Sequence, residues 1–358
     1  MHGLLACTLH VLINSRLCNT FLLLDHTLLL YQLNSIITNH NSSSSMPLRV
    51  LLTNDDGGPN DLASPYVKYL VEAIERHTDW QLTIAVPSSQ KSWIGKAHFA
   101  GRDVKATYIY STIDKPEDNS YHGPFAYPQP NFQANKNLKE WILLDGTPAT
   151  CADIGVNHLF PGGKSNVDLV LSGPNVGRNT SALYTLSSGT VGGAMEGHHH
   201  GKKAVALSYS FDRSPESTPD ILREASLISV KLIAQLYKNW NPKADIYSVN
   251  VPLNSDLKLG KTKILRVPIL ENNWSKSLFV SSNGKGQTHV NDIVDQSITS
   301  GQVFKWRPDF DSVHKGVALS VGVNDGKAIA AGNITVTAII ATFRQVNDEN
   351  QGELILEE

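Results

Sequence analysis

The chain has 358 residues, enough for one large or two modest domains around a substantial core. Its 41% hydrophobic and 18% charged content is ordinary for a globular protein, and a formal net charge of −2 leaves no basic surplus for nucleic acid as a main partner. Three scattered cysteines, Cys7, Cys18 and Cys151, argue against a disulfide framework or a CxxC metal site and point to a reducing compartment.

The N-terminal stretch stands apart. "GLLACTLHVLI" has the look of a short signal-peptide core, yet Arg16 is the first Lys or Arg and follows that core instead of preceding it. "FLLLDHTLLLYQL" is broken by Asp25 and His26, so it falls short of a spanning helix and predicts no stable membrane insertion. The polar run "NHNSSSS" then leads to Met46. The reading is a leader over 1–45, disordered or outside the fold, a folded domain over 46–345, and a polar tail over 346–358. A cleaved or membrane-associating leader is the alternative.

From Met46 to about Asn250 strands and helices alternate. "LRVLLT" and "LTIAV" are short apolar runs, and between them "SPYVKYLVEAIERH" carries Val67, Leu70, Val71 and Ile74 at helical spacing. "VDLVLS", "KAVALSYS" and "DIYSVNV" repeat the strand signal. "STPDILREASLISVKLIAQLYKNW" predicts a helix capped by Ser217 or Thr218 with Pro219 in its first turn. This order implies an α/β fold with a mostly parallel, helix-covered sheet, whose ligands bind outside the carboxyl ends of the strands. Residues 112–140, polar and rich in Pro and Asn, read as a surface insertion. Beyond Pro252, "KILRVPIL", "SLFVSS" and "ITVTAII" suggest a β-rich extension over 253–345, of a kind used for dimer contacts or to wall a site.

Four strand-end loops carry residues with chemical potential. In "LLTNDDGG" the carboxylates of Asp55 and Asp56 sit side by side where a buried strand ends. Their repulsion and desolvation need compensation, for which a cation is the first candidate; an ordinary Asn-Asp-Gly turn is the other reading. "VPSSQKSWIGKAHF" offers hydroxyls, Ser92 among them, and two lysines. "LSGPNVGRN" presents Asn175 and Asn179, suited to a hard cation or a phosphate. "SSGTVGGAMEG" opens a helix of small residues at Ser188, Gly189 and Thr190, where free N–H groups form an anion site; close helix packing explains the same glycines, and the two readings are compatible. Thr147 and Pro148 of "LDGTPATCADIGV" read as a cap and first helical residue. The run His198-His199-His200 reads as a polar helix end, because consecutive helical residues point in different directions. Cys151 reads as a buried thiol. No GxxxxGK[ST], GxGxxG or GxSxG stands in a suitable context.

Taken together and in this order, "LLTNDDGG", "VPSSQKSW", "DGTPATCADIGVN", "LVLSGPNVGRN" and "SSGTVGGAMEG" resemble the SurE family of survival-protein-type phosphatases and 5'/3'-nucleotidases, which includes acid-phosphatase-like fungal members. The resemblance covers roughly Pro47 to Phe343. It implies a Rossmann-like core with helices on both faces, a β-rich C-terminal extension, and a homodimer or higher homo-oligomer. It implies a metal-dependent phosphomonoesterase whose partner is a small phosphate ester, a nucleotide first. By position Asp55, Asp56, Ser92 and Asn175 match the family's metal ligands, and Asn179, Ser188, Gly189 and Thr190 match the segments lining its phosphate pocket. One departure stands out: Trp93 lies where bacterial members often carry a small residue.

The expected mechanism follows. A divalent ion, Mg²⁺ or Mn²⁺ given the oxygen donors, would bind a phosphate oxygen and activate a water that Asp55 orients or deprotonates. Asn179 and the helix start at Ser188–Thr190 would stabilise the transferring phosphoryl group. The competing class is a noncatalytic α/β module that binds nucleotide or protein with the same loops. Asn179-Thr180-Ser181 is a glycosylation sequon, and a glycan there would block the pocket; this favours the cytoplasm, with secretion or an organelle as the alternative if the leader is a true signal.

Overall fold

The computed structural model describes residues 46–211, 217–282 and 303–343. The chain divides into two units, Met1–Pro47 and Leu48–Glu358, and the architecture below is that of the second. The leader over 1–45 and the tail over 346–358 lie outside the described residues.

The first strand, β1 (Arg49–Thr53), is apolar from Val50 to Leu52 because both of its faces are covered there. Val50 and Leu52 join one core cluster and Leu51 the other, as the two-residue period of a strand requires. On the first face lies α1 (Val67–His77), which buries Val67, Leu70, Val71 and Ile74 and ends in basic residues that suit its carboxyl terminus. Beside it packs α6 (Pro219–Lys238), where the Thr218 hydroxyl accepts the Ile221 N–H and Pro219 occupies the first turn. The second face is covered by α3 (Pro148–Ile154) and α5 (Gly189–His199), capped by Thr147 and Ser188. Cys151 sits in α3 as a buried free thiol whose pKa burial drives far above its usual value.

The other strands are β2 (Gln81–Pro87), β3 (Ala106–Thr112), β4 (His122–Phe125), β5 (Leu138–Leu144), β6 (Leu169–Val176), β7 (Lys203–Ser210), β8 (Ile246–Pro252), β9 (Ile264–Arg266), β10 (Phe279–Ser282), β11 (Val303–Trp306) and β12 (Ile334–Ile339). The described main sheet has 10 strands in the order β4-β3-β5-β2-β1-β6-β7-β8-β12-β9. From β5 to β8 the strands run parallel, while β3, β4 and β12 pair antiparallel to their inner neighbours. The fold is therefore the mostly parallel α/β sheet expected, with extra strands near the C-terminus. Because β1 is flanked by β2 and β6, the strand order reverses at β1, and the loops after β1 and β6 open into one crevice.

Two segments gain detail. Residues 112–140 do run over the surface, but they also donate β4 and a short α2 (Pro130–Gln133) to the sheet edge, and the Lys68 ammonium anchors them by donating to the Lys115 carbonyl at 2.9 Å. Beyond Pro252 the β-rich extension joins the main sheet. β12 and β9 prolong the main sheet, α7 (Phe310–Leu319) and α8 (Asp325–Ala330) intervene, and among the described residues only β10 and β11 form a ribbon of their own.

The glycines of α5 set how close that helix lies to the sheet. A Cβ on Gly197 would stand 2.6 Å from Val170 Cβ in β6, and one on Gly193 2.8 Å from Ser172 Oγ. Gly197→Ala should therefore lower the urea unfolding free energy by a net ~1–2 kcal/mol, overpacking outweighing the helical gain from alanine. An unchanged or raised midpoint in urea would show that the contact relaxes freely.

Candidate active site

The β1 strand ends in a tight turn that Asn54 organises from within. Its carboxamide oxygen accepts the Gly57 N–H at 2.8 Å and its amide donates to the Gly57 carbonyl at 2.9 Å. Gly57 sits at φ 94, a conformation that favours glycine, and this bends the chain so that Asp55 and Asp56 are both nearly buried. After β2, the Lys91 N–H donates to the Asp55 carbonyl at 2.7 Å and brings the loop with Ser92 and Trp93 over the same strand end. In β6 the register slips by one residue between Ser172 and Asn175, a bulge that carries Asn175 to the crevice.

Asp55, Ser92, Asn175, Asn179 and Ser188 line a single cleft of about 270 Å³. Asp56, Gly189 and Thr190 do not line it; they lie directly behind. The Thr190 hydroxyl, expected to face phosphate, donates instead to Asp55 Oδ1 at 2.6 Å, and the backbone N–H groups of Gly189 and Thr190 are also directed at the Asp55 carboxylate. The start of α5 is thus spent on holding an aspartate. Gly189 allows this approach, since a Cβ there would sit 2.8 Å from Asp55 Cβ. Asp56 is fixed by the Val176 N–H at 2.9 Å and by the Gln90 amide at 3.4 Å.

The electrostatics of the pair are unfavourable for two negative charges. Burial pushes Asp55 up to about 6, opposed by the Thr190 hydrogen bond and the backbone donors. Burial and then the neighbouring Asp55 charge raise Asp56 well above the ordinary carboxylate range.

Around this pair stand groups that local sequence signals did not reveal. Asn250 of β8 accepts the Asn179 N–H at 2.9 Å, and Ser208 of β7 accepts from the Asn179 amide at 2.8 Å. Asp325 of α8 accepts the N–H of Ser181, a residue at φ 66 that opens α4 (Ser181–Ser187). Arg178, Phe211, Phe310 and His314 also line the cleft, and the Arg178 guanidinium donates to the Phe211 carbonyl at 2.7 Å.

The histidine run behaves as a helix end. His198 approaches Asp245, His199 faces the Ala341 carbonyl, and His200 Nε2 lies 2.8 Å from Asp153 and 3.2 Å from Glu196. Asp153, Glu196 and His200 could together hold a metal ion, but Lys96 Nζ at 2.6 Å already supplies Glu196 with a cation.

The family model described as "Survival protein SurE" matches residues 50–276. Among curated proteins, the chain is 43% identical over 331 residues to the "Probable tubulin--tyrosine ligase PBY1" of Saccharomyces cerevisiae, across 87% of this chain and 43% of that one. It thus spans less than half of that relative's length. It is 31% identical to the "5'-nucleotidase SurE" of Carboxydothermus hydrogenoformans (57% of this chain, 65% of that one) and 28% identical to that of Methanocaldococcus jannaschii (59% and 69%). The crystal structure of the SurE protein from Aquifex aeolicus superposes with a TM-score of 0.53 at 21% identity, over 83% of this chain and 94% of that one, which supports the fold. On the match to the family model, which spans more than half its length, the chain belongs to the SurE family.

Proposed function

We propose that the protein is a metal-dependent phosphomonoesterase that hydrolyses nucleoside monophosphates and related phosphate esters. The observation that carries this reading is the meeting of the cleft-lining carboxylate of Asp55, with the buried Asp56 next to it in the chain, and hydroxyl and carboxamide groups at one sheet crevice. The donor set fits a hard divalent cation, Mg²⁺ or Mn²⁺: carboxylate oxygens of Asp55 and Asp56, the Ser92 hydroxyl, and the Asn175 carboxamide oxygen, its amide being committed to Gly177. A cation held there supplies Lewis-acid polarisation of a phosphate oxygen.

The chain's own groups divide the remaining work. Asp55, held in one orientation by Thr190, accepts a proton from the attacking water. Asn179 keeps one amide hydrogen for the phosphate after donating the other to Ser208, and Arg178 adds a cation to the same wall. Ser188 caps α5, so its hydroxyl shapes the rim while accepting the Val191 N–H. The noncatalytic alternative gives no reason for burying two like charges. The ligase name belongs to a yeast protein more than twice as long as the matched segment, and nothing in this cleft favours that chemistry.

The cytoplasmic assignment is supported by Asn179, whose side chain is buried and bonded, so a glycan at its sequon is incompatible with the folded cleft. Among the described residues no helix is long and apolar enough to cross a membrane. The exposed Phe279, Phe304 and Trp306 of the β10–β11 ribbon favour assembly into a homodimer or higher homo-oligomer.

Turnover of p-nitrophenyl phosphate should vanish in EDTA and return with Mg²⁺ or Mn²⁺. Asp55→Asn and Asp56→Asn should each lower kcat at least ~100-fold, a ligand loss being no milder than loss of a supporting contact. Robust turnover in EDTA, or near-native rates in both variants, would sink the assignment.

The metal-free protein yields a separate test. Asp55 has a folded pKa above its unfolded value, so its contribution to stability is fully present below the unfolded pKa and is lost as pH rises through about 6. In EDTA the wild type should lose on the order of 1 kcal/mol between about pH 5 and pH 7.5 from Asp55, and Asp55→Asn should lack that contribution. Parallel thermal melts of the two proteins across that range, falling with the same slope, would show that the carboxylate is not buried in charged form.

A further inference from the structure

The far end of α5 gathers ligating groups that hydrolysis in the cleft leaves unused. Glu196 and His200 stand four residues apart, about one turn of helix, so both side chains leave the same face. Asp153, in the last turn of α3, meets them from the neighbouring helix. The three donor atoms, one from each residue, lie within 4.8 Å of one another. His200 Nε2 is 2.8 Å from Asp153 Oδ1 and 3.2 Å from Glu196 Oε1. Donors bound to one Zn²⁺ at ~2.0–2.2 Å stand about 3.4 Å apart in a tetrahedral shell, so small side-chain adjustments suffice. Two further observations separate this trio from an ordinary polar helix end. His200 Nε2 is shut off from solvent and has no hydrogen-bond partner, because neither nearby carboxylate oxygen is placed to accept from it. The two oxygens of Glu196 are also divided. Lys96 Nζ at 2.6 Å and His98 Nε2 at 3.4 Å both address Oε2, which leaves Oε1 to the shared space. The lysine therefore neutralises the glutamate from behind, as outer partners of a metal-bound carboxylate do. Asn157 fixes Asp153 by donating to its Oδ1 at 3.0 Å, and the remaining carboxylate lone pairs stay open.

We infer that Asp153, Glu196 and His200 form a second divalent-metal site, of the Zn²⁺ class, with solvent completing the coordination. One imidazole and two carboxylates suit Zn²⁺, whereas Mg²⁺ keeps to oxygen donors. The carbonyls at the end of α5 add to the attraction, since a helix C-terminus favours a cation. Ligation requires Nε2 without its proton, which passes to Nδ1. There the Asn157 amide at 3.4 Å and the Lys164 ammonium at 3.5 Å are at the limit of hydrogen bonding, and the exposed lysine can swing away. None of the three ligands lines the cleft, so this site is distinct from the one at Asp55 and does not rest on the phosphomonoesterase reading. An ion here ties α3 to the C-terminal end of α5, the helix whose opposite end holds Asp55. Its role is to brace that helix.

The test measures Zn²⁺ binding to the metal-stripped full chain by competition with a chromophoric chelator. Carrying Asp55→Asn and Asp56→Asn together removes the cleft's carboxylates, so binding to that chain reports the second site. It should take up one Zn²⁺ with micromolar or tighter affinity. Adding His200→Ala or Asp153→Asn should weaken binding at least ~10-fold, a ligand loss being no milder than loss of an outer partner. His198→Ala and His199→Ala, the neighbouring controls, should leave it unchanged. Zn²⁺ should also raise the thermal midpoint of the folded chain, and His200→Ala should abolish that rise. Asp153→Asn guards against a folding defect in His200→Ala, and circular dichroism identifies the folded variants. In the wild-type chain His200→Ala should remove one Zn²⁺ from the total bound. Absence of Zn²⁺ binding without the cleft carboxylates, or equal affinity in the folded His200→Ala and Asp153→Asn variants, overturns the site. Loss of binding in His198→Ala or His199→Ala instead overturns it equally, by moving the ion elsewhere.

Discussion

Two neighbouring carboxylates, Asp55 and Asp56, each only 2% exposed, impose the constraint around which the rest of the cleft is arranged. Sequence neighbours cannot move apart, so the cost of their charge must be met by what surrounds them. Each aspartate is held by a different set of donors. Asp55 takes the start of α5 through Thr190, and Asp56 takes Val176 at the end of β6 and Gln90 from the loop after β2. The pair thereby binds three separate loops to the end of β1. Among the described residues the donors bonded to the pair are a hydroxyl, a side-chain amide and backbone N–H groups, not a Lys or Arg side chain.

The same demand explains why α5 is made of small residues. To aim its first N–H groups at Asp55 the helix must lie against β1 and β6, and Gly189, Gly193 and Gly197 are the positions where a side chain would strike Asp55, Ser172 and Val170. Packing and electrostatics are thus one requirement here. The helix terminus that resembles a free anion site is already occupied by the protein's own carboxylate, and on the proposed function phosphate recognition would fall to Asn179 and Arg178.

What was legible in the amino-acid sequence follows the range of the interactions involved. Caps at Thr147, Ser188 and Thr218 act within three residues, so their side-chain chemistry announces them. The central strands are apolar on both faces and stand out as runs, whereas β3 and β5 near the sheet edge are only half buried and carry polar residues that hide them. The loops that converge on the crevice could be named from their composition. Their supports could not: Asn250, Ser208 and Asp325 act across 71, 29 and 144 residues, and no local pattern marks a buried Asn in a strand as a hydrogen-bond acceptor for a distant loop. Thr190 was visible, but which neighbour its hydroxyl would choose depends on a contact 135 residues away.

The division of the site between early and late parts of the chain has a mechanical consequence. The polar end of the cleft is built by loops between Asp55 and Ser188, while its wall of aromatic rings, with Trp93 and Tyr184, is completed by Phe211 and Phe310. These halves are joined through Asp325, whose carboxylate accepts the N–H groups of both Ser181 and Leu270. Ser181 opens the helix that carries Tyr184 and leads into the Ser188 cap; Leu270 leads toward Trp274 and the ribbon behind Trp93. Buried, and with its pKa raised by that burial against its backbone donors, Asp325 holds two strained or irregular segments at once. The C-terminal segment is therefore part of the cleft's scaffold: through Asp325 it fixes the spacing between the carboxylate end and the ring wall.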